Sequence, residues 1–476
     1  MCRPWWFLHR SNQPFQHPDT TKVPAEKTIY SEKIVPTLGD FINHYGLTFY
    51  WTKEHRTSAE LEPLRYVGDV LADDALSAMK LGPSDDPLTH LTPIAKKLPP
   101  VFKLYEQVTT VPSWVDWERV NRGQQVFVRY AGGSGMALLH CSLVGGFGAP
   151  KINKVLGATG YLSRSCQASY VRLFETLQMI VDCTEEGGLE PLTGIGWKAC
   201  IRVRMLHAKV RRRLMKMDKF NTKEWGVPIN QEDMCATLLS FQIIVLECLD
   251  FMNFHLTIQE QRDYTHLWRL IGYYSGVEEE NNPCLSYSFS RATLESITRH
   301  IVLPDETSCK MSNHVLKSVS NRPPLHLSYE CGSQLSRMLL GDVGADNLML
   351  PKEHFYWHLF HGLHFVLLRF LAYVTWLPFI GDGMMRTQRM VLRSAAKKFQ
   401  GGKRTKYFLK HIPDDKHFDD IGIDDSGSSI NSGDGMRGLS SNIFHILCCG
   451  NSKIMKMTKF VLLVALFWKV WIYMLS

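Results

Sequence analysis

Two features are scarce in this sequence of 476 residues. It has few segments in which apolar and polar residues alternate, which argues against a protein built on half-buried strands. Its 12 cysteines include no Cys-x-x-Cys pair, which argues against a zinc ribbon or a thioredoxin-like site. Because the cysteines are spread along the chain, we expect reduced and mostly buried thiols rather than a disulfide framework.

We expect no secretory signal peptide, and the net charge of the chain is mild. The apolar patch near the N-terminus is only Trp5–Leu8, whereas a signal peptide needs an apolar run of about 7–15 residues. The chain has 54 Lys and Arg against 46 Asp and Glu, a net charge of +8. This balance lacks the dense basic patch of a nucleic-acid-binding protein, so we expect a cytosol-facing protein that binds no nucleic acid.

Helical periodicity, by contrast, is abundant. Apolar residues recur at helical spacing through residues 60–350, so we predict one large all-α domain there. Asn230 is expected to cap a helix, with Asp233 at the third helical position. Prolines between residues 83 and 100 are expected to interrupt regular structure. The predicted helices span residues 115–130, 134–146, 163–185, 195–218, 231–254, 257–276, 290–302 and 325–341.

The remaining segments differ from this domain in composition. We predict a loosely ordered N-terminal arm over residues 1–59 and membrane-proximal helices, first apolar and then basic, over residues 351–400. An acidic and Ser/Gly-rich stretch over residues 401–453 is typical of a disordered linker. Residues 454–476 are predicted to form a C-terminal membrane anchor that contacts membrane lipids.

The anchor has an apolar part of 17 residues, 460–476, which follows Lys453, Lys456 and Lys459. This length is the lower edge for crossing a bilayer, and the three lysines are expected to stay on the cytosolic side. Lys469 would be costly at the middle of a bilayer, so the segment could instead lie in the interface. A helix docked on the protein core is the alternative.

A candidate metal ligand lies in the helix predicted over residues 195–218. At about 100° per residue, His207 lies at the border of an apolar stripe, with Arg204 and Arg211 about one turn away on either side. Nearby guanidiniums disfavour protonation of an imidazole, and the neutral imidazole is the form that binds a metal. The alternative is an ordinary histidine on a basic, solvated helix. The stripe consists of Ala199, Val203, Leu206, Val210 and Leu214.

Three polar residues share a face of the preceding predicted helix. Arg172, Glu175 and Thr176 have i, i+3 and i+4 spacing, so their side chains are neighbours. They could form the polar wall of a pocket next to a cofactor. The alternative is a solvent-exposed face with an internal ion pair.

A rival site begins at residue 354. His354, His358, His361 and His364 occupy one broad helical face, and the pattern resembles the histidine boxes of membrane di-iron oxidases. One box is fewer than such an enzyme would need. Arg369 in the same apolar run favours an interfacial or core helix over a membrane span. Interfacial histidines near lipid headgroups are the alternative.

Several runs of the chain resemble, in order and spacing, the family of rubber oxygenases (latex-clearing proteins) and the ER-bound oxygenase mpaB. These runs are GDVLAD, DWERVNRGQQVF, ATGYLSR, RLFET, RVRMLHAKVR, WGVPINQEDMCATLLSF and WRLIGYYSGV. The resemblance implies an all-helical fold with a globin-like core around haem b. It also implies an oxidoreductase at the membrane of the endoplasmic reticulum that uses O₂ to oxidise or cleave a lipophilic, isoprenoid-like substrate.

The same resemblance assigns roles on the second of the two helices. His207 stands in the family's R-x-x-H-x-x-x-R motif and would be the axial ligand of the haem iron. Arg204 and Arg211 would bind the cofactor by orienting this ligand or by pairing with the haem propionates.

On the first helix, the resemblance makes Arg172, Glu175 and Thr176 the catalytic wall on the oxygen side. Rubber oxygenases have a lysine where this chain has Glu175, and a glutamate could instead act as an acid or base there. Two alternatives stay open: a di-iron oxidase built on the histidine stripe, and a non-catalytic lipid-binding or scaffold protein that keeps the fold. The sequence does not indicate an oligomeric state.

Overall fold

The computed structural model describes residues 28–29 and 34–407, apart from residues 83–84, 161, 164, 324–325, 353, 401, 403 and 406. The predicted anchor over residues 454–476 lies outside the described residues, as does the predicted linker except for its first few positions. The described part of the chain is mainly α-helical, as predicted.

The helices follow one another with short connections. Up to the middle of the chain they are α1 (Ser58–Leu61), α2 (Val70–Met79), α3 (Pro87–Ala95), α4 (Pro99–Thr109), α5 (Trp117–Arg129), α6 (Ala131–Met136), α7 (Val144–Gly146), α8 (Pro150–Thr159), α9 (Cys166–Cys183) and α10 (Ile195–Leu214). They continue with α11 (Thr222–Trp225), α12 (Gln231–Phe241), α13 (Ile243–Phe251), α14 (Ile258–Ser275), α15 (Tyr287–Ile301), α16 (Glu306–Val319), α17 (Tyr329–Asn347), α18 (Phe355–Val374) and α19 (Gly381–Phe399).

Short strands precede the helices, where the sequence predicts only a loose arm. β1 (Thr28–Ile29) pairs in parallel with β2 (Phe41–His44), which forms an antiparallel hairpin with β3 (Leu47–Tyr50). The turn residues Tyr45 and Gly46 both have positive φ angles, as a tight type I′ turn requires. The alternating stretch is only a few residues long, so its periodicity is a weak signal.

The proline-rich stretch is helical, and the expectation that it interrupts regular structure is wrong. Helices α3 and α4 both begin at a proline, Pro87 and Pro99. A proline at the first helical position has a preset φ angle, and the N–H that it lacks would be unpaired there in any case. These prolines therefore start helices instead of ending them.

Other helix predictions are confirmed with small differences at the ends. The Asn230 side chain caps α12 by accepting a hydrogen bond from the Asp233 N–H at 2.9 Å. The predicted helix over 231–254 is interrupted at Gln242, between α12 and α13. Between α6 and α7, residues Ala137–Leu143 form a π-helical segment, a local feature that is often found at functional sites.

The core lies among the central helices, and the C-terminal helices pack around it. Helix α14 packs against α5, and α19 lies against both α9 and α5. Among the described residues, one helical stretch, Gln231–Phe251, is long and apolar enough to cross a membrane, but more than half of it is buried inside the protein. We therefore interpret α12 and α13 as core helices.

Candidate active site

A cavity of about 860 Å³ borders α9 and α10 and extends to α12, α15 and α17. Sites for small molecules and cofactors have volumes of about 300–1,000 Å³, so this cavity is at the large end of that range. The helices α9 and α10 pack against each other. Gly196 permits this approach, because a Cβ atom there would fall 2.5 Å from the Cα atom of Cys183.

His207 lies on α10 in the wall of this cavity. All five residues of the predicted apolar stripe are buried beside it. The imidazole makes no hydrogen bond to a described residue, and its Nδ1 atom is buried. Burial, together with the guanidiniums of Arg211 and Arg172, lowers the pKa of His207 to about 4. The ring is therefore neutral near pH 7, with a lone pair available to a metal.

Arg204 and Arg211 are not among the residues that line the cavity. Arg204 donates two hydrogen bonds to Asp69 at 2.6 and 2.9 Å, and Arg211 donates one to Asp73 at 2.7 Å. The two aspartates lie at and just after the start of α2. These two ion pairs, which we call the arginine clamp, hold α10 against α2 on either side of His207.

Two glycines make room for the arginine clamp. A Cβ atom at Gly276 would fall 2.2 Å from the Asp69 carboxylate, and one at Gly68 would fall 2.8 Å from the Arg211 guanidinium. These glycines belong to the runs YYSGV and GDVLAD. The runs GDVLAD, RVRMLHAKVR and YYSGV therefore meet in space around the helix that carries His207. The sequence analysis missed the aspartates because nothing in their spacing links them to α10.

The structure separates the three polar residues of α9. Arg172 and Thr176 line the cavity, whereas Glu175 is buried and is not among the lining residues. Glu175 forms an ion pair with Arg172 at 3.5 Å and accepts a hydrogen bond from the Thr405 hydroxyl at 3.2 Å. Glu175 thus holds the Arg172 side chain without lining the cavity itself.

A family profile described as "ER-bound oxygenase mpaB/B'/Rubber oxygenase, catalytic domain" matches residues 128–374, just over half of the chain. The chain belongs to this family. The sequence resemblance is thereby confirmed, and the protein is an oxygenase. No curated protein gives a significant match to the chain.

The fold of this oxygenase is similar to that of latex clearing protein LCP in the closed state. The two structures superpose with a TM-score of 0.55 over 74% of this chain and 95% of the LCP chain, at 19% sequence identity. The family profile begins at residue 128. The clamp aspartates on α2 therefore lie before the matched domain, although they hold a helix inside it.

The residues around the oxygenase cavity fit a haem. The neutral imidazole of His207 lies in the wall, and it has no hydrogen-bond partner in the part of the chain that the structure describes. The guanidiniums that line the described part of the cavity belong to Arg172, Arg291 and Arg322, and a haem propionate could pair with Arg172 or Arg322. Arg322 was missed from the sequence because it follows α16, more than a hundred residues from α10.

The third lining arginine belongs to a separate charged group. Arg291 donates to Glu295 at 3.0 Å, Glu295 also contacts His55 at 2.9 Å, and Glu247 lies 3.8 Å from Arg291. These groups satisfy one another, so we interpret them as a network that ties α13, α15 and the segment after β3 together. Nothing in the sequence links residues so far apart.

The four histidines near residue 354 do not share one environment. His354 is exposed and His358 half-buried, whereas His361 and His364 are buried. Burial lowers the pKa of His361 to about 3 and that of His364 to about 4, and His361 donates to the carbonyl oxygen of Cys331 at 3.1 Å. Within the part of the chain that the structure describes, no three His, Cys, Asp or Glu side chains are placed to hold a metal.

Proposed function

We propose that the protein is a membrane-associated, haem b-dependent oxygenase that uses O₂ to oxidise or cleave a lipophilic, isoprenoid-like substrate. The observation that carries this proposal is the neutral imidazole of His207, which makes no hydrogen bond to a described residue and lies in the wall of a large cavity, inside a domain of the oxygenase family. His207 would be the axial ligand of the iron.

When bound, the haem supplies the activation of dioxygen that no side chain can provide. The protein would position the haem and set the polarity of its surroundings. Burial keeps His207 unprotonated, and the arginine clamp fixes the helix that carries it. Arg204 and Arg211 would therefore support the cofactor through their effect on His207 rather than by contact with it.

On the facing helix, Arg172 and Thr176 present the polar groups of the cavity wall. The Arg172 guanidinium is a permanent cation, so it can bind a propionate or stabilise negative charge that develops on oxygen. Glu175 would act through Arg172, which it contacts at 3.5 Å. We therefore propose Arg172 and Thr176 as residues of the oxygen side and Glu175 as a positioning residue.

A lipophilic substrate is supported by the rest of the cavity. Most of the lining side chains are aliphatic or aromatic, and they come from many helices. Burial of apolar surface is the main source of affinity for such a ligand, at about 25 cal/mol per Å². Away from α9, the charged lining residues include Arg291, Glu247 and Glu295, which pair with one another, so they offer little to a highly charged substrate.

Membrane association is supported by the outer face of α18 and the turn after it. Phe355 is 85% exposed and Phe379 is 94% exposed. Between them an apolar face is open to solvent at Leu359, Leu363, Val366, Phe370, Tyr373, Trp376 and Leu377. An exposed apolar patch of this kind marks an interaction surface, and an interfacial helix would bury it among lipids. The apolar residues 460–476 would add an anchor, with the catalytic domain on the cytosolic side of the endoplasmic reticulum.

The proposal is tested on detergent-solubilised protein produced with a supply of haem. We expect a Soret band, one haem per chain by the pyridine hemochromogen assay, and O₂ uptake that depends on an added isoprenoid such as squalene. Mass spectrometry of products formed under ¹⁸O₂ should show labelled oxygen. Two irons per chain without porphyrin would contradict the proposal and favour the histidine stripe, although the described residues place no group of three His, Cys, Asp or Glu side chains there that could hold a metal. Isoprenoid binding without metal or turnover would favour a non-catalytic role.

A further inference from the structure

A short segment after α19 lies against the outer side of α9. We call Gln400, Arg404, Thr405 and Tyr407, which belong to this segment, the C-terminal strap. The Gln400 amide donates to the carbonyl oxygen of Phe174 at 3.0 Å, and Arg404 forms an ion pair with Asp182. Both partners lie on α9, so the strap is fixed along that helix.

The strap also engages the position at which this chain departs from rubber oxygenases. The Thr405 hydroxyl donates to the Glu175 carboxylate at 3.2 Å, and the Thr405 N–H donates to the Gln178 side chain at 3.1 Å. A lysine at position 175 could not accept the hydrogen bond from Thr405. The contact between Thr405 and position 175 therefore depends on a glutamate there. The strap nevertheless lies beyond the matched domain, which ends at residue 374.

Tyr407, the last residue of the strap, reaches the oxygenase cavity. Its side chain is 6% exposed and lines the cavity. It belongs to the same hydrophobic cluster as Val203, Leu206 and Val210, which surround His207 on α10. The Tyr407 hydroxyl is buried and has no hydrogen-bond partner among the residues that the structure describes. A buried hydroxyl is rarely left without a partner, so this group is available to a bound molecule.

The surroundings of Tyr407 keep its hydroxyl protonated. Burial raises the pKa of Tyr407 well above its ordinary value, and the nearby Asp182 carboxylate acts in the same direction. The Arg172 guanidinium opposes this rise and also contributes to the low pKa of His207, and all three residues line the same cavity. At neutral pH the phenol is a hydrogen-bond donor in the wall of the cavity that Arg172 also lines.

We propose that Tyr407 binds an oxygen atom held in the cavity beside His207, through a hydrogen bond from its hydroxyl. The acceptor is either dioxygen or an oxygen atom of the lipid. The inference rests on the proposed function for its setting, because it places Tyr407 in the oxygenase site. It adds a residue from outside the family domain to that site and gives the C-terminal strap the role of delivering it.

The test compares wild type with Tyr407→Phe, which removes only the hydroxyl. In the first arm, carbon monoxide stands in for dioxygen on the reduced holoenzyme, and infrared spectroscopy measures its stretching band. Loss of a donor should move the band to higher frequency. In the second arm, tryptophan fluorescence measures the affinity of farnesol and of the hydrocarbon farnesene. If the lipid is the acceptor, the farnesol affinity should fall about fivefold while the farnesene affinity stays the same.

Tyr274→Phe is the matched control, because the Tyr274 hydroxyl is also buried without a partner among the described residues, but Tyr274 does not line the cavity. It should change neither arm. A shifted infrared band identifies dioxygen as the acceptor, and a selective loss for farnesol identifies the lipid. If Tyr407→Phe matches wild type in both arms, the inference is wrong. A wild-type protein without haem gives no infrared band and refutes the proposed function, while the farnesol arm still decides the role of Tyr407.

Discussion

Two helices of this oxygenase carry the histidines that the sequence offers as candidate metal ligands. The structure gives the histidines of the two helices different surroundings. Helix α10 has one imidazole, His207, which lines a cavity and forms no hydrogen bond with any described residue. Helix α18 and its N-cap residue together carry four spaced histidines, of which His361 and His364 are buried while the N-cap His354 is exposed. Regular spacing on a helix is therefore weaker evidence for a site than one neutral ring beside a cavity.

The helix of His207 is also held more firmly than the histidine stripe. Arg204 and Asp69 are both buried and share two hydrogen bonds. On α18, Arg369 is half-buried and forms no ion pair with a described residue. Buried ion pairs fix geometry because either charge is costly without the other. The contrast indicates that α10 is the helix whose side chain, His207, has to be held in a precise position.

The largest effect is expected from breaking the arginine clamp. Arg204→Gln leaves the Asp69 carboxylate buried without its cation, so the free energy of unfolding should fall by about 3–5 kcal/mol. Urea denaturation followed by circular dichroism measures this change. Arg369→Gln on α18 is the matched control and should change stability by less than about 0.5 kcal/mol. If both variants lowered the free energy of unfolding equally, the arginine clamp would not hold α10 more firmly than α18 is held.

The next effect concerns haem affinity. His207→Ala removes the proposed axial ligand, so we expect a loss of about 100-fold or more, at least as large as that caused by removing a supporting residue around a metal. The double variant His361→Asn, His364→Asn alters the stripe and should keep the affinity of wild type. Haem titration followed at the Soret band measures both. If instead the double variant lost haem affinity and His207→Ala kept it, the histidines of α18 would be the ones that bind the haem.

A smaller effect is expected at the exposed face of α18. In a chain without residues 454–476, Val366→Glu and Phe370→Glu should each weaken binding to phosphatidylcholine–phosphatidylserine vesicles by about tenfold or more, because each loses the burial of an apolar side chain. Leu285→Glu, at an exposed apolar residue away from α18, is the control for vesicle flotation. If all three variants bind equally, the outer face of α18 does not contact lipid.

The smallest effect concerns pH. Burial lowers the pKa of His361 from 6.5 to about 3, so between these values the unfolded chain binds a proton that the folded protein does not. Stability is therefore lost at this residue as the pH falls below about 6.5. The slope of the unfolding free energy against pH is proportional to the difference in bound protons between the unfolded and the folded protein. His361→Asn should reduce this difference by up to about one proton. Asp233, whose pKa burial raises to about 6, contributes in the opposite direction in both proteins. An unchanged slope would show that His361 is not buried as a neutral ring.

The sequence predicts the helices of the site well because their apolar stripes have the helical period. It identifies His207 and the two guanidiniums beside it for the same reason. It does not predict that Arg204 pairs with Asp69, since that contact joins residues 135 positions apart. The family resemblance points to the site, but the direction of each side chain depends on tertiary packing.

The C-terminal part of the site is the least predictable. Residues after α19 have the polar composition of a linker, and their contacts with α9 depend on single side chains such as Gln400 and Thr405. No periodicity marks Tyr407 as a buried residue. Similarly, the split of the α18 histidines between core and surface follows from the elements that pack on one side of that helix only.

The central claim is that the His207 imidazole binds the haem iron, and chemical rescue tests it most directly. In His207→Gly, the haem should be lost or its Soret band displaced, and added imidazole should restore both the wild-type spectrum and O₂ uptake with an isoprenoid. Rescue separates ligation from folding, because free imidazole cannot repair a misfolded helix. A wild-type spectrum in His207→Gly without imidazole would contradict the account.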